Sequence, residues 1–206
     1  DDMYYPGDPF LFYTTNEQLE EGKTYQLEIN HASYPTATAE VRVPVSVEIQ
    51  SVTLGDASDY MMDLRFTIQD PAENNYYLLK VLVNDGYGWK GVGFETVDPS
   101  FEDKGLIEDG YEGRKAMLND QLFNGTNKTF SLGIDYWPEV DSIKVQLFTL
   151  SESYYKYHES RKLQNRSEHG PSSILGAEPV VVYNNIQNGF GVFAVRSKNE
   201  FVVAVE

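Results

Sequence analysis

Apolar and polar residues alternate along most of the chain with a period of two. Between Met62 and Ile68 every second side chain is apolar, and residues 130–134 and 143–147 repeat this pattern. A period of two is typical of a strand that buries one of its faces. The pattern predicts strands at these three places and also at residues 24–30, 36–43, 47–54, 180–183, 191–196 and 201–205.

Residues 76–83 differ, because they are apolar on both faces except at Lys80. Such a run is typical of a central strand that is covered on both sides. Asn-Gly pairs at residues 124–125 and 188–189 are strong signals for tight turns between strands. About ten short strands with almost no helical pattern predict a mostly β fold, an antiparallel β-sandwich.

One helix is predicted near residues 151–166. Ser151 or Ser153 can cap it, and no glycine or proline interrupts the segment. We expect the helix to bridge two sheet edges and to pack tyrosine rings on the sandwich. The alternative is a basic patch for a partner, because several of the chain's basic residues lie here. The side chains that share one helix face at i, i+3, i+4 and i+7 spacing are Tyr154, Tyr157, His158 and Arg161.

The best domain boundary lies at Val43 and Pro44, where one predicted strand ends shortly before the next begins. The two or three strands before this point are too few to close a sandwich. We therefore expect residues 1–44 to be the C-terminal strands of a first domain whose front part is missing. Residues 45–206 are then the main β-sandwich domain. The alternative is that the first strands extend the sheet of this second unit.

Charge and composition narrow the range of functions. The chain of 206 residues carries 32 acidic and 16 basic side chains, a formal net charge of −16. This charge repels a phosphate backbone, so we expect no nucleic-acid partner. The chain has no cysteine, which excludes disulfides, thiol catalysis and thiolate metal sites. No apolar run approaches the ~18 residues of a membrane-spanning helix.

Motifs for catalysis fail on inspection. Residues 86–91 match G-x-G-x-x-G, but the residues after them do not begin the helix that a pyrophosphate needs. His158 opens a match to H-E-x-x-H, but Lys162 replaces the second histidine, so zinc lacks a ligand. The chain also lacks a G-x-S-x-G nucleophile elbow. We therefore expect that the protein is not an enzyme.

Aromatic residues around the glycine-rich turn are candidates for ligand binding. Tyr87, Trp89 and Phe94 flank this turn. Flat rings on loops suit a surface that binds sugars or peptides. The alternative is core packing, because a sandwich needs rings to fill the ~10 Å between its sheets.

Residues 95–112 carry seven carboxylates against one lysine, Lys104. Oxygen ligands at this density suit calcium, which is the only cofactor that the sequence suggests. The alternative is a solvated loop, and we expect a long excursion between two strands, with Phe101, Leu106 and Ile107 tucked into the sandwich. The candidate calcium ligands are Asp98, Glu102, Asp103 and Asp109.

Several motifs occur in a specific order in the C-terminal half. They are Asp120-Gln-Leu-Phe-Asn-Gly125, the stretch 145–157, a Glu-Pro pair at 178–179 and the stretch 182–193. Together with residues 22–27 and 37–44, they resemble the Bacteroidetes lipoprotein family known as domain of unknown function 4249. The resemblance implies that the β-sandwich is immunoglobulin-like and that residues 1–44 are the C-terminal strands of an N-terminal immunoglobulin-like domain. It supplies no catalytic residue, because the family has no agreed activity.

The resemblance also implies a cellular setting. Members of the family resemble accessory lipoproteins encoded beside TonB-dependent outer-membrane transporters. We therefore expect a non-enzymatic outer-membrane lipoprotein ectodomain on the periplasmic or cell-surface side, whose partner is the transporter or its substrate. The alternative is a module that captures a glycan or peptide directly.

Two further expectations follow from the resemblance. The signal peptide and lipid-bearing cysteine of the family are not present, so we expect a truncated, mature or proteolysed form. Its membrane attachment would need a lipid anchor that this chain lacks. Ser142, within Asp141-Ser142-Ile143, resembles the O-glycosylation signal of exported Bacteroidetes proteins. Ser142 is therefore a candidate glycosylation site, and a chance match is the alternative.

Overall fold

A computed structural model describes residues 15–58, 60–101, 107–110, 113–169 and 180–205. A 3₁₀ helix covers Pro99–Phe101. The other elements in the described residues are β1 (Thr24–His31), β2 (Tyr34–Arg42), β3 (Ile49–Ala57), β4 (Met61–Gln69), β5 (Tyr76–Asn84), β6 (Trp89–Gly91), β7 (Phe94–Glu95), β8 (Ile107–Gly110), β9 (Gly113–Asn119), β10 (Asn127–Asp135), β11 (Ser142–Leu150), α1 (Glu152–His169) and β12 (Arg196–Ala204).

Two antiparallel sheets form a sandwich. One has the order β3-β4-β10-β7, and the other has the order β12-β11-β5-β9-β8, with β6 also paired to β5. Side chains from both sheets share one core, in which Phe66 of β4 stacks on Phe130 of β10 at a ring distance of 4.8 Å. The prediction of a mostly β, antiparallel sandwich is therefore confirmed.

Strand β5 is covered on both faces, as its sequence predicts. Tyr77, Leu79 and Val81 are buried between the sheets. Leu78 points to the other side, where it joins a second apolar cluster with Phe148 and residues of α1. The six-stranded sheet is thus the middle layer, with the four-stranded sheet on one face and α1 on the other.

The predicted helix is confirmed, but its packing differs from the expectation. Tyr155 is the buried anchor of α1, and its ring stacks on Tyr76 at 4.5 Å between centroids. Tyr154 and Tyr157, which define the predicted face, are only half-buried. Tyrosine rings do pack on the sandwich as expected, since Tyr154 also contacts the second apolar cluster. The helix differs from the expectation in lying over the middle of the sheet, where the outward apolar side chains of β5 and β11 require cover.

Two predicted strands are not strands, and four strands of the described structure, β6 to β9, are not predicted by the sequence pattern. Residues 180–183 and 191–195 do not pair as strands; β12 begins at Arg196. The acidic stretch is also more regular than expected, because Ile107–Gly110 pairs with the unpredicted strand β9. Phe101 is buried in the core, as predicted. Leu106 lies outside the described residues, as does the side chain of Ile107.

The β1–β2 hairpin forms a sheet of its own. The connection to β3 is tied to the main sandwich, because the Val47 N–H donates to Thr149 Oγ1 at 3.2 Å and Ser197 Oγ donates to the Pro44 carbonyl. The domain boundary at residue 44 stays a prediction. Within the residues described, no helix is long and apolar enough to cross a membrane.

Candidate functional site

A cleft of about 470 Å³ opens where the β1–β2 hairpin meets the N-terminal end of α1. Its walls come from residues 40–45, 73–76 and 150–153, together with Tyr183 and Asn185. The volume lies within the range of about 300–1,000 Å³ that is usual for small-molecule sites. Clefts where two structural units meet are also common places for such sites.

The cleft combines tyrosine walls with a mostly acidic rim. Tyr76 and Tyr183 are half-buried, and the Lys156 ammonium lies 5.8 Å from the centroid of the Tyr183 ring. Lys156 also pairs with Glu152 at 2.7 Å. Burial raises the pKa of Tyr76, and the nearby Glu152 carboxylate raises it further. Glu40 and Glu73 add negative charge to the lining.

The two serines of the cleft hold α1 in place. Ser151 Oγ accepts hydrogen bonds from the N–H groups of Tyr154 and Val195, at 3.3 and 3.2 Å. Ser153 Oγ donates to the carbonyl of Phe193 at 3.1 Å. Ser151 is thus the N-cap of the helix, and both serines tie the helix start to the chain that precedes β12.

Residues 183–193 form a compact segment that we call the asparagine loop. Asn184 Oδ1 accepts hydrogen bonds from the N–H groups of Ile186 and Gly191, at 3.1 and 3.0 Å. Asn185 and the backbone of Phe193 exchange two further bonds, at 2.8 and 2.9 Å. These side chains satisfy backbone groups of residues 191 and 193 that a strand would offer to a neighbour, which explains why no strand forms at 191–195. In the segment 180–183, the Tyr183 N–H donates instead to Ser160 Oγ of α1 at 2.8 Å.

The asparagine loop is attached to the hairpin. Thr38 and Gln187 exchange two backbone hydrogen bonds of 3.2 and 2.8 Å. Asn188, whose φ of 57° lies in the left-handed region that asparagine tolerates, donates from Nδ2 to the Thr36 carbonyl at 3.0 Å. At the tip of the loop, Phe190 is 100% exposed.

The three candidate aromatic residues differ in exposure, and their role in ligand binding stays a prediction. Tyr87 is 90% exposed, and Trp89 is 38% exposed on β6, with the Lys144 ammonium 4.1 Å from its ring centroid. Phe94 is 1% exposed, because β7 pairs with β10 and turns this side chain into the core. The ring of Phe94 is therefore not on the surface, and core packing is the correct interpretation for this residue.

Of the four candidate calcium ligands, only Asp98 has a side chain within the described structure, so the calcium site stays a prediction. Asp98 pairs with Lys128 at 2.7 Å and accepts the Ser100 N–H at 2.9 Å. Burial alone would raise the pKa of Asp98, but these bonds outweigh it and lower the pKa. Glu102 and Asp103 lie outside the described residues, as does the side chain of Asp109. Within the described part of the chain, no three His, Asp or Glu residues form a metal site.

Ser142 is the first residue of β11, and its Oγ donates to Asp141 at 2.6 Å. Its side chain is half-buried. Glycosylation at Ser142 stays a prediction.

A comparison of the sequence with models of known protein families finds a match. The model of the family described as Domain of unknown function (DUF4249) matches residues 2–201. The chain belongs to the DUF4249 family. No curated protein and no solved structure matches the chain.

In this DUF4249 chain, the motif that begins at Asp120 has a structural role. Asp120 Oδ2 accepts the Asn75 N–H at 2.6 Å. Asp70 accepts the Tyr77 hydroxyl on one oxygen and the Gly125 N–H on the other, the latter at 2.9 Å. Burial raises the pKa of Asp70, and burial together with the charge of Asp70 raises that of Asp120. The network fastens the turn after β9 to the start of β5.

Sequence reasoning missed both the cleft and the role of the asparagine loop. The motif at 182–193 contributes to the family resemblance, but its apolar residues predict strands. The signal was present in Asn184, Asn185 and Asn188, since closely spaced asparagines favour side-chain bonds to nearby backbone. The cleft had no such signal, because its walls are far apart in the sequence.

Proposed function

We propose that this DUF4249 protein is the non-enzymatic ectodomain of an exported lipoprotein, on the periplasmic or cell-surface side of the outer membrane. It serves as the ligand-binding accessory component of a TonB-dependent transporter. The observation that supports this proposal is the cleft of about 470 Å³ between the hairpin and α1. The cleft would receive the transporter's substrate.

The lining of the cleft indicates the class of ligand. Tyr76 and Tyr183 offer flat faces, which suit a sugar ring or a peptide side chain. The lining carries Glu40, Glu73 and Glu152 against Arg42, and Lys156 pairs with Glu152, which leaves a small excess of negative charge. This excess disfavours an anion, so the ligand is neutral or cationic. A neutral glycan or a basic peptide meets both requirements.

The interactions of polar groups in the cleft favour binding over catalysis. The Ser151 and Ser153 hydroxyls bond to backbone groups and to each other, at 3.1 Å between the two oxygens. Glu152 is paired with Lys156. These side chains already have hydrogen-bond or ion-pair partners, which suits them to orient the helix and a ligand. A catalytic serine would instead need an adjacent general base to activate its hydroxyl.

The first test fills the cleft. Val45, a half-exposed lining residue, is replaced in Val45→Trp, and Val97→Trp places the same ring on a surface that does not line the cleft. Arrays of neutral glycans and basic peptides are probed with both variants and the wild type. We expect Val45→Trp to lose at least tenfold in binding and Val97→Trp to match the wild type. Equal binding by all three proteins would contradict a ligand site in the cleft.

The second test addresses the transporter. The protein is purified from native membranes in mild detergent, and the transporter encoded beside its gene is sought in the same fraction. We expect the two to co-purify. Recovery of the protein alone would count heavily against the transporter role.

A second candidate function is direct capture of a glycan or peptide by Tyr87 and Trp89. The observation in its favour is that Lys144 holds the Trp89 ring against the outer face of the sheet, with part of the ring exposed. A glycan array probed with wild type and Trp89→Ala tests it. Equal signals would remove Trp89 from consideration.

A further inference from the structure

The asparagine loop lies in the longest run of the sequence that has no charged residue. Residues 179–195 contain no charged side chain, although charged residues make up 23% of the chain. The strand segment that the loop contacts, residues 32–39, contains no Asp, Glu, Lys or Arg either. A partner that meets the loop and this segment meets no charged side chain from either of them, and the nearest charge across the hairpin is Glu28 of β1, which lies opposite Thr38.

Within this region, Phe190 is held out into solvent by a rigid support. Its neighbours are fixed by Asn184, which bonds to the backbone of Gly189 and Gly191 at 3.1 and 3.0 Å. The loop rests on β2, where a Cβ added at Gly189 would lie 3.6 Å from Ala37. An aromatic side chain on a preorganised loop loses little conformational entropy when it binds.

We propose that Phe190 is the anchor through which this protein docks on its partner protein. The partner carries an apolar pocket that receives the ring, with a rim that is neutral or basic. The inference rests on the proposed function, since the partner is taken to be the outer-membrane transporter. Aromatic side chains that fill a pocket at the centre of an interface commonly dominate its affinity.

Charge favours a protein over a lipid surface as the occupant. Segments that insert into membrane interfaces combine apolar residues with Lys and Arg, which bind anionic lipids. The nearest basic residue after Phe190 in the sequence is Arg196, and none occurs from 179 to 195. The net charge of −16 would add repulsion from an anionic surface.

The test measures binding of the full chain to the purified transporter encoded beside its gene, in mild detergent. Phe190→Ala is compared with Val97→Ala, a matched truncation of a residue that is 93% exposed elsewhere. We expect Phe190→Ala to weaken the dissociation constant at least tenfold and Val97→Ala to change it less than twofold. Both variants should melt at the wild-type temperature, because neither side chain is buried.

A photo-crosslinking amino acid at position 190, with position 97 as control, identifies what the ring touches. An adduct with the transporter from position 190 alone supports the inference. An adduct with phospholipid, in vesicles of phosphatidylethanolamine and phosphatidylglycerol, or with a second copy of the chain would overturn it. If the transporter binds wild type and Phe190→Ala equally, the proposed function stands and this inference is wrong. If the transporter does not bind wild type, both fail.

Discussion

At the scale of single residues, Asp70 is a buried polar group whose two carboxyl oxygens are both held by hydrogen bonds. Its carboxyl is buried and accepts two hydrogen bonds, from the Tyr77 hydroxyl and the Gly125 N–H. Burial raises its pKa, although both bonds act in the opposite direction. A buried acceptor that loses a donor costs about 1–3 kcal/mol, so the stability of the fold depends on these two partners.

Tyr77→Phe tests this dependence. The variant keeps the buried ring and removes only the hydroxyl, so it leaves one Asp70 oxygen without its donor. We expect a loss of about 1–3 kcal/mol in the free energy of unfolding, measured with urea. Tyr60→Phe is the control, because Tyr60 is exposed, and it should stay within about 0.5 kcal/mol of wild type. A Tyr77→Phe protein as stable as wild type would show that the bond adds nothing.

Asp98 predicts a defined pH dependence. Its folded pKa is lowered, because the bonds from Lys128 and the Ser100 N–H outweigh burial. Its stabilisation is therefore present above the unfolded pKa of about 3.9 and is lost as the pH falls through the lower folded pKa. We expect Asp98→Asn to cost about 1–2 kcal/mol at pH 7. Its deficit against wild type should shrink towards zero in strong acid.

The matched control for Asp98→Asn is Asp56→Asn, which removes an exposed carboxylate from β3. Urea unfolding between pH 7 and pH 2 follows all three proteins. A deficit for Asp98→Asn that stays constant over this range would contradict the assignment.

At the scale of elements, Ser151 connects α1 to the rest of the molecule. Its Oγ caps the helix and also binds the Val195 N–H, while its own N–H donates to the Val195 carbonyl at 2.9 Å. Ser151→Ala should therefore cost about 1–2 kcal/mol, at the upper end for an N-cap. Circular dichroism during urea unfolding measures this loss. Ser142→Ala, on β11, should cost less than about 0.5 kcal/mol, and an equal loss in both variants would exclude a specific cap.

The strands differ in how well the sequence pattern predicts them. Strands such as β4 and β11 were predictable because their alternation reports burial directly. Strand β9 was missed because its buried run, residues 116–118, is too short to show a period. Residues 180–183 are as apolar as a strand, but the Tyr183 N–H donates to Ser160 Oγ of α1 rather than to a neighbouring strand. Residues 191–195 are also apolar, but the side chains of Asn184 and Asn185 bond to their backbone. The alternation of apolar residues therefore predicts which side chains are buried. It does not predict where side chains take the backbone hydrogen bonds that a strand would need.

The candidate site was less predictable than the fold. The exposure of Tyr87 and Trp89 followed from the glycine-rich turn, whereas Phe94 took a core position in β7. The cleft depends on how the hairpin, the start of β5 and α1 meet, and no local pattern encodes that meeting. Residues separated by more than a hundred positions share its walls.

At the scale of the whole molecule, the net charge of −16 predicts a response to salt. Self-repulsion among carboxylates weakens the compact state, and salt screens it within about 10 Å at 0.1 M. We expect the melting temperature to rise by about 2–4 °C between low salt and 0.5 M NaCl, which corresponds to about 1 kcal/mol.

A comparison of magnesium with calcium distinguishes general charge screening from a specific calcium site. Magnesium chloride and calcium chloride at equal ionic strength should give the same melting temperature if only screening acts. A rise specific to calcium, reversed by chelator, would support ligation by the acidic stretch around Asp98. A melting temperature that falls with NaCl would contradict the repulsion argument.

The asparagine loop has one more consequence, which follows from where its two ends lie. Tyr183 and Asn185 line the cleft, and Phe190 stands five residues further on, joined to them by the Asn184 and Asn185 bonds. A ligand that shifts Asn185 would therefore also shift the tip that meets the partner. Linkage then makes the effect reciprocal: the factor by which cargo tightens docking equals the factor by which docking tightens the hold on cargo. A copy of the protein with bound ligand would then bind the transporter with a different affinity from an empty copy, and the two would occupy the same transporter to different extents.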